Sequence, residues 1–214
     1  MPSKTHLCRT VPDIGLRADR QVTDGLQAHA SFAGLARQPW WLRVDAADLL
    51  IRPAASKDLE AIARMHSRCS ARSLLDRYRA GGRAPAVAAM ERMVRRPLSF
   101  VASTTRGEIV ATAVAAVDQI HGAKSAEVGL LVEDDWQGLG MGRELMTHLA
   151  GAAVVYGYRD LIAYPATSVL LVQRLLIGVG RTRVVSLPDN PHVHAALSEA
   201  AVLGLGPVRE QLAS

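Results

Sequence analysis

The sequence predicts a mixed α/β protein in which antiparallel strands come first and a crossover helix follows them. The elements run in the order strand, two or three helices, three strands, helix, strand, helix and two strands. The segment SAEVGLLVED is a nearly continuous apolar run, which is typical of a strand at the centre of a sheet. Three alternate glycines, Gly138, Gly140 and Gly142, then join this strand to an amphipathic helix.

The first elements are a strand and a group of short helices. The strand LLIRPA is closed by Pro53, and Ser56 is the expected N-cap of the helix that follows. Apolar residues repeat at helical spacing from Leu59 onward. The segments SARSLLDRYR and AVAAMERMVRR predict two more helices, the second of which is ended by Pro97.

The later elements form the sheet and its crossovers. The strands LSFVAST and EIVATAVAAVDQ flank the hairpin connection TRGE. The helix after the glycines is expected to place His148 off its buried face and to end at Gly157. The expected buried face consists of Met141, Leu145, Leu149, Ala152 and Tyr156. DLIAYPA is a further strand, SVLLVQRLLIGVG a further helix, and RTRVVSLPD and HVHAALS a closing hairpin.

The length of 214 residues fits one domain with short appendages. We divide the chain into an N-terminal extension (1–46), a domain (47–200) and a C-terminal tail (201–214). The Trp40–Trp41 pair is expected to fold back onto the domain. The alternative is that this pair contacts a partner protein or a second copy of the chain, as in a homodimer.

Composition and charge exclude several classes of partner. The net charge of +5 suits a polyanionic ligand, but no run of Lys and Arg and no aromatic interleaving predicts nucleic-acid binding. No apolar run is long enough to span a membrane. Cys8 and Cys69 are too few for a disulfide framework or a zinc site, so free thiols in the cytoplasm and no metal are expected.

The glycine turn predicts an anion site. Glycines allow the backbone to approach a ligand closely, and the first N–H groups of a helix lack intrahelical partners. A P-loop requires Gly-Lys-Ser/Thr, whereas Gly142 is followed by Arg143 and Glu144. A dinucleotide fold requires G-x-G-x-x-G with an acidic residue after the next strand, and both features are absent here.

The segment QGLGMG, between a strand and a helix, resembles the Q/R-x-x-G-x-G/A turn of the GNAT family of N-acetyltransferases. The resemblance covers residues 49–198 and implies a central mixed sheet of six to seven strands with splayed central strands, flanked by helices. It also implies acetyl-CoA as the acetyl donor, with its pantetheine arm beside the central strand. The residues expected to bind it are Leu130, Leu131, Val132, Gln137, Gly138, Leu139, Gly140, Met141, Gly142, Arg143, Thr167 and Arg174.

Three further segments resemble bacterial Pat-type protein lysine acetyltransferases: VEDDWQGLGMGRELM, HSRCSARSLLDRYR and RVVSLPDNPHVHAAL. This resemblance implies that Glu127 is the general base and that the acceptor amine is a protein lysine. The residues expected to contact the acceptor are Ser70, Tyr78 and Asp134.

Two departures from the family pattern keep alternatives open. Thr167 or Ser168 stands near the place of a common Asn, and Arg174 stands where many members have a Tyr that acts as general acid. The alternatives are a small-molecule amine N-acetyltransferase and a non-catalytic module that binds acyl-CoA.

Overall fold

The computed structural model of the protein describes residues 38–78, 82–166, 168–186 and 191–198. Its strands are β1 (Trp40–Val44), β2 (Ala47–Pro53), β3 (Leu98–Thr104), β4 (Ile109–Val117), β5 (Ser125–Val132), β6 (Asp160–Ala163), β7 (Gly180–Val185) and β8 (His192–Leu197). Its α-helices are α1 (Leu59–Arg68), α2 (Ala71–Tyr78), α3 (Val87–Val94), α4 (Met141–Val155) and α5 (Val169–Ile177). Short 3₁₀ turns cover Ser56–Asp58 and Asp134–Trp136.

The strands of the described residues form one eight-stranded sheet in the order β1-β2-β3-β4-β5-β6-β8-β7. Every pairing is antiparallel except that of β5 with β6, which α4 connects as a crossover. The mixed α/β prediction is therefore confirmed. The predicted count of six to seven strands was too low, because β1 adds an edge strand.

Strand β1 comes from the segment that the sequence assigned to an extension. Leu42 and Val44 are buried on it, and the Trp40 ring stacks on His148 of α4 at 3.6 Å between centroids. Trp41 points outward and is 38% exposed. Residues 40–44 therefore belong to the sheet, and the proposed domain boundary at residue 46 separates this strand from the rest of the sheet.

Two layers of helices enclose the sheet. Helix α4 packs on β3, β4 and β5, and it contacts α5, which packs on β7 and β8. On the opposite face, α1, α2 and α3 pack on β3, β4 and β5. In the described part of the chain, β6, β7 and β8 carry no helix on that second face, so the sheet is open there beside its central strands.

Two details of the helices differ from the sequence prediction. His148 is buried and Tyr156 is exposed, because α4 lies between the sheet, α5 and the Trp40 ring and is buried on more than one face. Ser56 is not an N-cap, since the chain first makes a 3₁₀ turn capped at Ala55, whose N–H donates to the Asp58 carboxylate at 2.8 Å.

Residues 1–37 and the proposed tail 201–214 lie outside the described residues. Within the described ranges, no helix is long and apolar enough to cross a membrane.

Truncation tests the boundary at residue 46. Removing residues 1–46 takes away β1 and the buried Leu42 and Val44 side chains. Each such side chain contributes about 1.5–3 kcal/mol on burial. We expect the midpoint of thermal unfolding to fall by on the order of 10 °C. Removing only residues 1–37 keeps β1 and is the control. Equal melting temperatures for the two truncations would show that β1 is dispensable.

Candidate functional site

The central strands β5 and β6 separate after a short parallel contact. They pair only from Ser125↔Asp160 to Glu127↔Ile162. Strand β6 then ends at Ala163, whereas β5 continues to Val132. A gap therefore opens beside the second half of β5, where its backbone has no strand neighbour on the β6 side.

Hydrogen bonds at both ends of the β4–β5 ladder fix which backbone groups face this gap. The Asp118 N–H donates to the Ser125 carbonyl at 2.8 Å, and the Glu133 N–H donates to the Val110 carbonyl at 2.9 Å. Residues of an antiparallel strand alternate in the side to which their backbone groups point. The odd-numbered residues of β5 thus bond to β4, and the even-numbered ones present N–H and C=O to the gap.

This alternation separates the three residues of β5 that the sequence assigned to cofactor binding. Leu130 and Val132 direct their backbone groups into the gap, and the Val132 carbonyl accepts the Gln137 side-chain amide at 2.9 Å. Leu131 pairs with Thr112, so its backbone groups face β4. A ligand strand in the gap can pair with Leu130 but not with Leu131.

The glycine turn lies at the end of the gap and leads into α4. Gly138 and Gly140 have φ values of +76° and +89°, a conformation that side chains oppose. A Cβ at either position would meet no atom within 4 Å, so the turn is open. The N–H groups of residues 138–142 make no backbone hydrogen bond within the described part of the chain. The turn is therefore an open cradle of N–H donors at the positive end of a helix dipole.

The other residues of the turn have different surroundings. Gly142 is close-packed, since a Cβ there would lie 3.3 Å from Leu130 and 3.4 Å from Leu175. Met141 is buried and Leu139 packs against the core, so both anchor the turn. Arg143 is exposed at the start of α4. Its guanidinium is thus available to an anion bound at the turn.

Glu127 lies on the face of β5 that carries α1, α2 and α3. Leu131 lies four residues further along β5 and therefore on the same face, where it packs with Ile62 and Met65 of α1. Val128 belongs to the opposite core, under α4. Glu127 itself is exposed. Its carboxylate thus stands beside the last β5–β6 pair, at the point where the gap opens.

Arg77 of α2 lies directly above the next residue on this face, Gly129. A Cβ on Gly129 would overlap the guanidinium. The guanidinium also covers the Tyr78 ring at 4.7 Å, and its Nε is buried without a partner among the described residues. Burial lowers the pKa of Arg77, and the nearby Tyr78 and Glu127 side chains oppose this shift. Arg77 and Glu127 are therefore close enough to interact.

Sequence reasoning missed Arg77 as a site residue. Two signals were present. The segment HSRCSARSLLDRYR, which resembles Pat-type enzymes, includes the Arg77–Tyr78 pair. Gly129 is an isolated glycine inside a strand pattern, which often marks a close approach of another group.

Tyr78 is positioned by a buried hydrogen-bond chain. Its hydroxyl donates to His66 Nε2 at 2.6 Å, and His66 Nδ1 donates to the Ile62 carbonyl at 2.7 Å. Burial lowers the pKa of His66 and raises that of Tyr78. The chain ties α2 to α1 and holds the ring on which Arg77 rests.

Asp134 and Ser70, two predicted acceptor contacts, bind each other. The Asp134 carboxylate accepts the Ser70 N–H and hydroxyl at 2.7 Å and the Ser73 hydroxyl at 2.8 Å. The Gln137 amide donates to the Ser73 oxygen at 2.9 Å. Burial alone would raise the pKa of Asp134, but the hydrogen bonds from Ser70 and Ser73 hold it below its ordinary value. This clamp connects the glycine turn to α2.

A bidentate ion pair supports the clamp. Arg68 Nε and Nη2 donate to the Glu133 carboxylate at 2.7 and 2.8 Å, and Nη2 also reaches the Ile109 carbonyl. The acidic turn after β5 is therefore bound to both ends of the α1–α2 connection.

A second polar cluster lies on the open face beyond Glu127. The Tyr164 hydroxyl donates to the buried Asp118 carboxylate at 2.6 Å, and His121 Nδ1 lies 3.1 Å from the same group. Burial alone would raise the pKa of Asp118, but these hydrogen bonds hold it low. His192 packs against both His121 and Tyr164. Since β4 and β6 flank β5, the Tyr164 side chain must cross β5 to reach Asp118.

The predicted residues after β6 fall into two groups. Thr167 lies outside the described residues. Ser168 caps α5, because its hydroxyl accepts the Leu171 N–H at 3.2 Å. Arg174 is exposed on α5. Among the described residues, no group of three or more His, Cys, Asp or Glu side chains could hold a metal ion.

Asp134→Ala tests the clamp. Loss of the hydrogen bonds that Asp134 accepts from Ser70 and Ser73 should cost on the order of 1 kcal/mol of unfolding free energy near neutral pH. Because the folded pKa of Asp134 is lowered, its contribution is present above about pH 4 and is lost as the pH falls through the folded value. Denaturant unfolding at several pH values should show the two proteins converging in acid. Asp135→Ala, at an exposed neighbour, is the control, and an equal loss in that variant would contradict the clamp.

Comparison with known families gives a match over the part of the chain that carries this site. The sequence model of the family described as Acetyltransferase (GNAT) family matches residues 66–169, which include the gap, Glu127 and the glycine turn. No curated protein sequence matches the chain.

Solved structures share the fold at low sequence identity. The GNAT domain of PAT from S. lividans is 20% identical with a TM-score of 0.64, over 76% of this chain and 97% of that one. The yncA protein of Salmonella typhimurium, solved with its cofactor acetyl-CoA, is 19% identical with a TM-score of 0.53, over 70% and 94%. A phosphinothricin acetyltransferase from Sinorhizobium meliloti, in complex with AcCoA, is 19% identical with a TM-score of 0.51, over 70% and 88%. At these identities the likeness shows the fold alone.

Proposed function

Because the match over residues 66–169 makes the chain a member of the GNAT acetyltransferase family, we propose that it transfers an acetyl group from acetyl-CoA to an amine, with Glu127 as general base. The observation that carries the proposal is the gap between β5 and β6, which ends at an open cradle of backbone N–H groups. A strand-like arm and a pyrophosphate need these two features side by side. They occur together here, and the Glu127 carboxylate is exposed where the gap opens.

The residues of the gap fit acetyl-CoA, which supplies an acetyl group activated as a thioester. The open N–H groups at Gly138 and Gly140 suit the pyrophosphate, with Arg143 as an additional cation. The gap-facing backbone of Leu130 and Val132 suits the amides of the pantetheine arm.

Glu127 is proposed to take the proton that the amine must lose. A free lysine amine has a pKa of about 10.4 and is protonated near neutral pH, so a base has to act before attack. Glu127 is the carboxylate on the accessible face of β5 where the gap opens. The Leu130 N–H, which faces the gap, is the backbone donor best oriented to polarise the acetyl carbonyl.

Two classes of acceptor amine are considered, a protein lysine and a small-molecule amine. The resemblance to Pat-type enzymes favours a protein lysine, and the face of β6, β7 and β8 that carries no helix within the described residues would admit a protein. A specific observation favours a small amine that also carries an acidic group: Arg77 places a positive charge near Glu127. Among proteins of the same fold, the acetyltransferase from Sinorhizobium meliloti is named for phosphinothricin.

Amine-dependent release of the CoA thiol tests the proposal. The full chain is incubated with acetyl-CoA and a panel of small amines, peptides and folded proteins, and mass spectrometry identifies the acetylated product. We expect thiol release that depends on the amine. Binding of acetyl-CoA without turnover on any acceptor would favour the non-catalytic acyl-CoA-binding module.

A further inference from the structure

Arg77 is a partly buried cation, and within the described residues none of its hydrogen bonds is to an oxygen acceptor. Its Nε has no hydrogen-bond partner, and its Nη2 reaches only the Met93 sulfur at 3.9 Å. None of the ion pairs of the described residues includes it. A guanidinium has five N–H donors, and it is costly to bury them without hydrogen bonds. The cost is offset if a ligand supplies the acceptors.

Arg77 is also held in place. The Tyr78 ring supports the guanidinium on one side, and the hydrogen bond from Tyr78 to His66 fixes that ring. Gly129 admits the guanidinium to the strand surface, where any side chain would collide with it. A guanidinium held in place with a buried Nε suits a planar carboxylate, which it can bind through two parallel hydrogen bonds.

The inner side of the guanidinium cannot accept such a ligand. Arg77 lines a cavity of about 10 Å³ together with Ser99 and Thr112. This volume is about that of a single water and is too small for a carboxylate. An acidic group must therefore approach Arg77 from the side of Glu127, which is exposed on the same face of β5.

We propose that Arg77 binds an acidic group of the acceptor, and that the acceptor is a small amine with a carboxylate close to its amino group, as in an α-amino acid. The proposal rests on the proposed function, because it assigns the acceptor of the same site. Glu127 and Gly129 stand two residues apart on one face of β5, about 6.7 Å along the strand. An acceptor with neighbouring positive and negative groups matches this pair of charges. A lysine side chain presents only a positive charge and leaves the donors of Arg77 unfilled.

Paired acceptors test the assignment. Each L-amino acid is compared with the amine that it would become on loss of its carboxylate, in acetyl-CoA turnover by the full chain. For an accepted amino acid, we expect kcat/KM to exceed that of its paired amine by at least about tenfold, mainly through KM. Arg77→Met should bring this ratio close to one. Arg77→Lys should restore part of it, since lysine keeps the charge without the planar fork.

Two further measurements keep the outcomes distinct. Gly129→Ala is the alternative variant if Arg77→Met does not fold. It introduces a Cβ into the space of the guanidinium and should also lower the ratio of kcat/KM between amino acid and paired amine. Equal rates for amino acids, paired amines and lysine peptides in the natural protein would overturn the assignment. If no amine is acetylated, the proposed function fails. Calorimetry of amino acids with the CoA-bound protein and with its Arg77→Met variant then tests the anion site separately. Binding that is lost in the variant supports the anion site, and no binding to either protein overturns it.

Discussion

Replacing Glu127 by Gln should slow acetyl transfer by at least about a hundredfold near neutral pH while acetyl-CoA affinity stays unchanged. The amide keeps the shape of the side chain but cannot accept the proton, and general-base assistance typically contributes about 10²–10⁴ in rate. Glu127 is exposed, so the change should leave the fold intact. Steady-state thiol release and calorimetric titration of acetyl-CoA measure the two quantities separately.

The pH dependence of this variant gives a second check. The deficit should shrink toward high pH, because a larger fraction of the amine then arrives already neutral. Glu108→Gln, the same change at an exposed residue before β4, is the matched control and should leave turnover unaltered. Unchanged turnover in the Glu127 variant would contradict its role as general base and would leave the protein without an identified base.

Replacing Gly140 by Val should weaken acetyl-CoA binding by at least about a hundredfold, or about 2.8 kcal/mol. Gly140 has φ +89° with open space around its Cβ position, which is the space a phosphate would need. A branched side chain opposes this backbone conformation and fills the cradle. Calorimetry with acetyl-CoA measures the loss, and circular dichroism establishes that the variant is folded.

Gly157→Val separates the cradle from backbone strain. Gly157 follows the opposite end of α4 with φ +86° and equally open space. It should therefore suffer the same conformational cost without touching the ligand. Equal losses of affinity in the two variants would indicate that strain in α4, rather than the glycine turn, governs binding.

Local patterns in the sequence were sufficient for most of the fold. Apolar periodicity and breakers identified the strands from β2 onward, the helices and the hairpin between β3 and β4. The segment WWLRV was not identified as β1, because five residues beside a polar stretch show too little alternation. His148 was placed off the buried face because a stripe analysis assumes one packed side, whereas Trp40 from β1 covers a second side of α4.

The candidate site likewise has a part that the sequence predicts and a part that it does not. The glycine turn is local, so its spacing could be interpreted from the sequence, and the open backbone at Gly138 and Gly140 agrees with an anion site. The clamp of Asp134 on Ser70 and the contact of Arg77 with Gly129 join segments far apart in sequence. Such contacts follow from the packing of α2 on β5, which periodicity does not determine.

The crystal structure of the full chain with CoA bound tests the central claim most directly. The account predicts the pyrophosphate against the N–H groups of residues 138–142 and the pantetheine arm between β5 and β6. It also predicts that the thiol end lies beside Glu127, with the carboxylate facing it directly or through one water. CoA bound elsewhere, or a thiol on the far side of the sheet from Glu127, would contradict the account.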